Sequence, residues 1–147
     1  MSNLSCIPKF VKEETIDIWV AETWKLMLLS SSHIPNAGTQ QYVSDVVANE
    51  IAASAPYFTG GIAIEGKVAV AHGYNYYIDA TDVVIGPMAN LTYRYGILFQ
   101  YTAGNLATSK IRAQIDFYNP LRTDGNQVVI KGTSTIRWNA LGIIYIS

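Results

Sequence analysis

Bulky, mostly apolar side chains recur at every second position through most of the chain beyond residue 60. Val68, Val70, His72, Tyr74, Tyr76 and Ile78 share one side of an extended segment, with Ala69, Ala71, Gly73, Asn75 and Tyr77 opposite. Leu91, Tyr93, Tyr95, Ile97, Phe99 and Tyr101 form a second row, backed by Thr92, Arg94, Gly96 and Gln100. Ile111, Ala113, Ile115 and Phe117 alternate with Arg112, Gln114 and Asp116. Val128, Ile130, Ile136 and Trp138 alternate with Lys131, Thr133, Thr135, Arg137 and Asn139. A period of two predicts half-buried strands. The segments between them, "GPMAN", "TAGN", "NPLRTDGN" and "NALG", read as turns by their Gly, Asn and Pro content.

The first half is less regular. "PKFVKEETIDIW" predicts the chain's one helix, with Pro8 in the first turn and Ile7, Val11 and Ile18 near one face. "ETWKLMLLSSS" predicts a strand in which Trp24, Leu26 and Leu28 alternate, and "SSHIPNAGTQQ" a loop. "QYVSDVVANEIAAS" fits either a short helical turn or an extended segment, and "TGGIAIEG" a tight turn into a strand. Many short strands after one small helix predict an all-β chain, an antiparallel β-sandwich of jelly-roll-like form with a short N-terminal helix. No repeat or linker divides it, so one domain spanning residues 1–147 is expected.

Charge changes the picture. Only 14% of residues are charged, against a usual ~25%, while 50% are hydrophobic and ten are tyrosine. No charged residue lies between Glu50 and Glu65 or between Lys67 and Asp79, and Arg94 alone interrupts the stretch from Val83 to Ser109. A freely dissolved monomer needs mixed charge over its surface. Tyr-rich, charge-poor stretches suit surfaces that become buried against partners, or else a sandwich with a large core and Thr/Ser/Asn-rich faces. The net charge of −1 provides no basic field for nucleic acid. No apolar run reaches the ~20 residues a bilayer requires. The opening "MSNLSCIPKFVKEE" lacks the pattern of a signal peptide, so synthesis in a cytoplasm is expected, and the triplets at Asn3 and Asn90 are read as chance rather than glycosylation sites.

Candidate chemistry is sparse. Cys6 is the single cysteine, which leaves no intrachain disulfide, and it is read as an indifferent thiol. His33 lies beside Ser30, Ser31 and Ser32, but no Gly-x-Ser-x-Gly elbow accompanies it, so a solvated or capping role is expected. His72, alternating with Val70 and Tyr74, is expected to be packed and hydrogen-bonded. Asp79 and Asp82 form the best carboxylate pair. They suit calcium or a glycosidic bond in principle, and turn chemistry by preference. The aromatic residues could stack on sugars, but filling cores and subunit interfaces is the favoured role for Tyr76, Tyr93, Tyr95 and Tyr101. No catalytic residue, cofactor or metal is expected.

Taken in order, "FVKEETIDIW", "TWKLMLLSSSHIPN", "QYVSDVVANEI" and "YFTGGIAI", then "YIDATDVVIGP", "YRYGILFQYTAGN", "QIDF" and "TIRWNALGIIYIS", resemble a family of small structural proteins of tailed-bacteriophage virions. The resemblance runs end to end. It departs at "APYFTGG", where relatives tend to carry Gly-Tyr before the double glycine, and at Ile85, where they tend to carry an aromatic. Members act as capsid decoration (cement) proteins or as head and neck components, without catalytic residues. The resemblance therefore implies a homo-oligomer, a trimer being one form, that bridges major capsid subunits or other virion proteins and binds neither nucleic acid nor membrane. A neck, collar or tail position is the alternative, and a carbohydrate-binding sandwich used in host attachment a more distant one. Tyr93, Arg94 and Tyr95 are the expected interface residues, since Arg and Tyr dominate binding hot spots.

Overall fold

A computed structural model describes residues 8–139 and 142–146. Cys6, Ile7 and the triplet at Asn3 lie outside the described residues. The chain is mostly antiparallel β-structure with one short helix: α1 (Lys9–Ala21), β1 (Trp24–Leu29), two 3-10 turns (Val43–Asp45 and Val47–Asn49), β2 (Ile62–Ile64), β3 (Val68–His72), β4 (Asn75–Asp79), β5 (Val83–Tyr93), β6 (Tyr95–Gln100), β7 (Ile111–Asp116), β8 (Gln127–Ile136) and β9 (Ile144–Ile146). It divides into two compact units. The smaller holds α1, β3, β4 and β9. The larger comprises Thr23–Ile64 and Asp82–Ile136.

In the smaller unit the strands run in the order β3-β4-β9, with α1 packed against β3 and β4. Pro8 caps the helix, its carbonyl accepting from the Val11 and Lys12 amides. The face that carries Val11 and Ile18 is not the buried one. Lys12 and Ile16 are the buried positions, while Val11 and Ile18 are exposed. The Lys12 stem lies inward and its ammonium donates to the Tyr74 carbonyl at 3.2 Å, so one long side chain replaces an apolar one at the contact. The single strand expected over residues 68–78 is a hairpin. Gly73, at φ +64°, and Tyr74 form its two-residue loop, and Ala71 pairs with Tyr76 and Ala69 with Ile78. Tyr76 and Ile78 are buried, and the Tyr76 hydroxyl donates to Glu13 on the helix.

The larger unit contains a four-stranded sheet in the order β2-β1-β6-β7 and a two-stranded ribbon of β5 and β8. β1 is a strand as expected, but it does not alternate, because Leu26 to Leu29 are all buried. It lies inside the sheet, with β2 and β6 on its edges. Met27, Leu29, Ile97 and Phe99 on one face pack under Val43 and Val46, so "QYVSDVVANEI" supplies helical turns that lid the core. On the other face Leu26 lies near Phe117, whose ring meets Tyr93 of the ribbon edge-on at 5.5 Å. The turn read into "TGGIAIEG" is present. Gly60 and Gly61 take φ +98° and +87° just before β2, and a Cβ at Gly61 would stand 2.6 Å from the Leu26 carbonyl oxygen.

Three expectations fail at the ribbon, two of them because irregular pairing shifts parity. "GPMAN" is not a turn. Between the pairs Ile85↔Ser134 and Ala89↔Gly132, β5 carries extra residues as a bulge at Gly86, Pro87 and Met88. A second shift, between Ala89 and Leu91, turns Ile130 outward, although alternation placed it inside. The row from Leu91 to Tyr101 is also not one strand. It breaks at Arg94, whose amide donates to the Leu29 carbonyl and whose carbonyl accepts from the Phe117 amide. Buried side chains continue on both sides of the break, Tyr93 in the ribbon and Ile97, Leu98 and Phe99 in the sheet.

Candidate interface surfaces

Arg94 lies where β5 ends and β6 begins. Its Nε and Nη2 donate to the two carboxylate oxygens of Asp116 at 2.6 and 3.0 Å, a forked pair that fixes the guanidinium plane. The Tyr118 and Tyr95 rings lie 4.8 and 5.2 Å from its Cζ. The first effect of the pair is hydrogen bonding, which draws the Asp116 carboxyl below the ordinary carboxylate range and raises Arg94. Gly125, at φ +70°, leaves room for this cluster, since a Cβ there would stand 2.2 Å from Arg94 Nη1. Asp124, on the same loop, is held down to about 2 by its bonds from Arg122 and the Asn126 amide.

The three expected interface residues therefore occupy different environments. Tyr93 is 3% exposed, its hydroxyl paired with Ser134 Oγ at 3.0 Å, and burial raises its ionisation above the ordinary phenol value. Its ring belongs to the interior of the larger unit. Arg94 and Tyr95 are half-buried, and Tyr118 extends their cluster to the surface. Sequence reading missed Tyr118 because it lies outside the alternating rows.

A second surface is the outer face of the ribbon. Val84, Met88 and Ile130 are 60, 60 and 75% exposed. The ribbon's 11-residue and 10-residue strands contain a single charged residue, Lys131. On α1, Phe10 and Ile18 are likewise exposed. Alternation could not reveal the ribbon patch, since two of its three members sit at register shifts.

Both histidines depart from expectation. His33 is buried, not solvated. Its Nε2 donates to Gln114 Oε1 at 3.1 Å, its ring meets Tyr95 edge-on, and Nδ1 has no partner. His72 is exposed at the hairpin end, not packed. Asp79 accepts from its neighbour's amide, Ala80, as turn chemistry requires. Among the described residues no three His, Cys, Asp or Glu side chains converge on a point, and no helix is long and apolar enough to cross a membrane. Compared with known protein families, curated proteins and solved structures, the chain matches none.

Proposed function

We propose that this protein is a non-enzymatic structural subunit of a tailed-bacteriophage virion, specifically a capsid decoration protein that forms homo-oligomers and bridges major capsid subunits. The ribbon's outer face supports this reading best. Val84, Met88 and Ile130 present apolar side chains to solvent from strands that carry one charged residue. Exposed apolar side chains on strands this poor in charge suit an interface. A jelly-roll-like sandwich, built from the larger unit's sheet and ribbon, belongs to the same proposal, as does location in the virion. The mechanism is added contact: a standard interface of ~1,600 Å² is repeated by symmetry, so weak contacts sum over a shell.

Mass spectrometry of purified particles tests it. Copy numbers on the order of hundreds per particle support decoration, whereas about six or twelve place the chain in the neck, collar or tail. A protein that stays monomeric at high concentration and never co-sediments with phage overturns both.

A further inference from the structure

Among the described residues, Met88 at φ +69° and Lys131 at φ +46° are the two other than glycine that hold a left-handed backbone, and both lie in the β5–β8 ribbon. Irregular pairing brings them together. Each directly precedes one member of the pair Ala89↔Gly132 on its own strand. Between that pair and Leu91↔Val129, Ile130 and Lys131 stand against Asn90 alone, whose Oδ1 accepts from the Lys131 amide at 3.0 Å. Glycine would take both backbones without strain, so the exposed side chains kept there point to a use outside the fold. Lys131 is the one charged residue of the two strands, and no ion pair joins it to a described residue. The exposed stripe of α1 is its complement. Phe10, Glu14, Asp17, Ile18 and Ala21 recur at helical spacing on the side opposite Lys12 and Ile16, and all are exposed. Two carboxylates thus lie between two large apolar side chains. Glu13 is engaged by Lys9 and Tyr76, whereas Glu14 and Asp17 make no ion pair with a described residue. Phe10 and Ile18 stand about 12 Å apart along the helix axis. Val84 and Met88 stand at most about 13 Å apart along β5.

We infer that the exposed stripe of α1 from one copy docks on the outer face of the ribbon of the next. Phe10 and Ile18 meet Val84, Met88 and Ile130, and Glu14 and Asp17 flank Lys131. The inference rests on the homo-oligomer of the proposed function and specifies its contact. Charge decides among the pairings that the two surfaces allow. A ribbon laid on a second ribbon leaves Lys131 facing strands without a carboxylate. Helix laid on helix sets Glu14 and Asp17 against their own copies. Ribbon against helix joins opposite charges and sets apolar side chains against apolar ones. Such a contact is head-to-tail, so it repeats into a closed ring or a filament.

Sedimentation equilibrium of the full chain tests the contact with two variants, Lys131→Glu on the ribbon and Glu14→Lys with Asp17→Lys on the helix. Each alone should self-associate at least about tenfold more weakly than the parent, because like charges then face each other. Each should melt close to the parent's temperature, because the altered side chains are exposed. An equal mixture of the two should associate again, since each altered surface finds its match on the other variant. Association that mixing does not restore assigns the contact to like surfaces and overturns the proposal, as do variants that associate like the parent. If either variant does not fold, carbodiimide cross-linking of the parent chain decides. The expected product is an amide linking Lys131 to Glu14 or Asp17, light chain to heavy in a mixture of 14N- and 15N-labelled protein. Its absence, or a link confined to single chains, overturns the proposal. A monomeric parent overturns this contact together with the homo-oligomer, whereas failed mixing of variants from an oligomeric parent overturns the contact alone.

Discussion

Arg94 and Asp116 meet through two parallel hydrogen bonds at the residue where the chain passes from the ribbon to the four-stranded sheet. The pair favours ionised Asp116 in the folded state, first by hydrogen bonding to Arg94 and then by its charge. A carboxylate with a depressed folded value stabilises the fold above its unfolded value of ~3.9, and that stabilisation is lost as pH falls through the folded value. Asp124, held at about 2, acts in the same direction. Stability should therefore decline from about pH 4 downward, and Asp116→Asn should flatten the upper part of that decline while lowering the melting temperature at neutral pH. Thermal unfolding across this range checks it. An Asp116→Asn curve parallel to the parent's would show that the pair contributes nothing.

Tyr57 concerns a different kind of bond. Its hydroxyl is buried, accepts from the Leu28 amide inside the four-stranded sheet at 3.1 Å, and donates to Glu50 Oε1 at 2.8 Å. Glu50 Oε1 also accepts from the Gly60 amide. Burial raises the phenol's ionisation well above its ordinary value, so it acts as a neutral bridge. Tyr57→Phe keeps the ring and leaves the Leu28 amide without an acceptor, which should cost about 1–3 kcal/mol in urea denaturation.

The two histidines give a contrast. His33→Ala removes a fully buried ring between Tyr95 and Gln114 and should cost about 3 kcal/mol. His72→Ala, at an exposed hairpin end, should stay within about 0.5 kcal/mol. Equal losses from the two would contradict the burial assigned to His33.

That contrast marks where sequence reading ends. Strand identity for β1, β7 and β8 was legible because each carries its own apolar residues, and local composition decides them. Burial of His33 was not, since its partner Gln114 is 81 positions away and no local pattern announces it. The break at Arg94 was hidden because large apolar or aromatic side chains occupy every second position on both sides of it. Gly86 and Pro87 resemble a turn because bulges and turns draw on the same residues. Tyr93, Arg94 and Tyr95, chosen by residue type alone, could not be sorted into core and surface until the ribbon's register was known.

The ribbon's outer face gives the sharpest test of the assembly reading. Val84 and Ile130 contribute little to the folded unit, being largely exposed, so Val84→Lys with Ile130→Glu should each change stability by no more than about 0.5 kcal/mol. An interface that buries them must instead desolvate two new charges. Self-association or particle binding should then weaken at least tenfold, ~1.4 kcal/mol, when followed by sedimentation equilibrium and co-sedimentation with phage. Phe10→Lys with Ile18→Glu on α1 serves as the comparison, because those side chains are exposed on the smaller unit. If the α1 pair abolishes association and the ribbon pair does not, the contact lies on the helix. If neither changes it, exposed apolar side chains are not what holds the copies together.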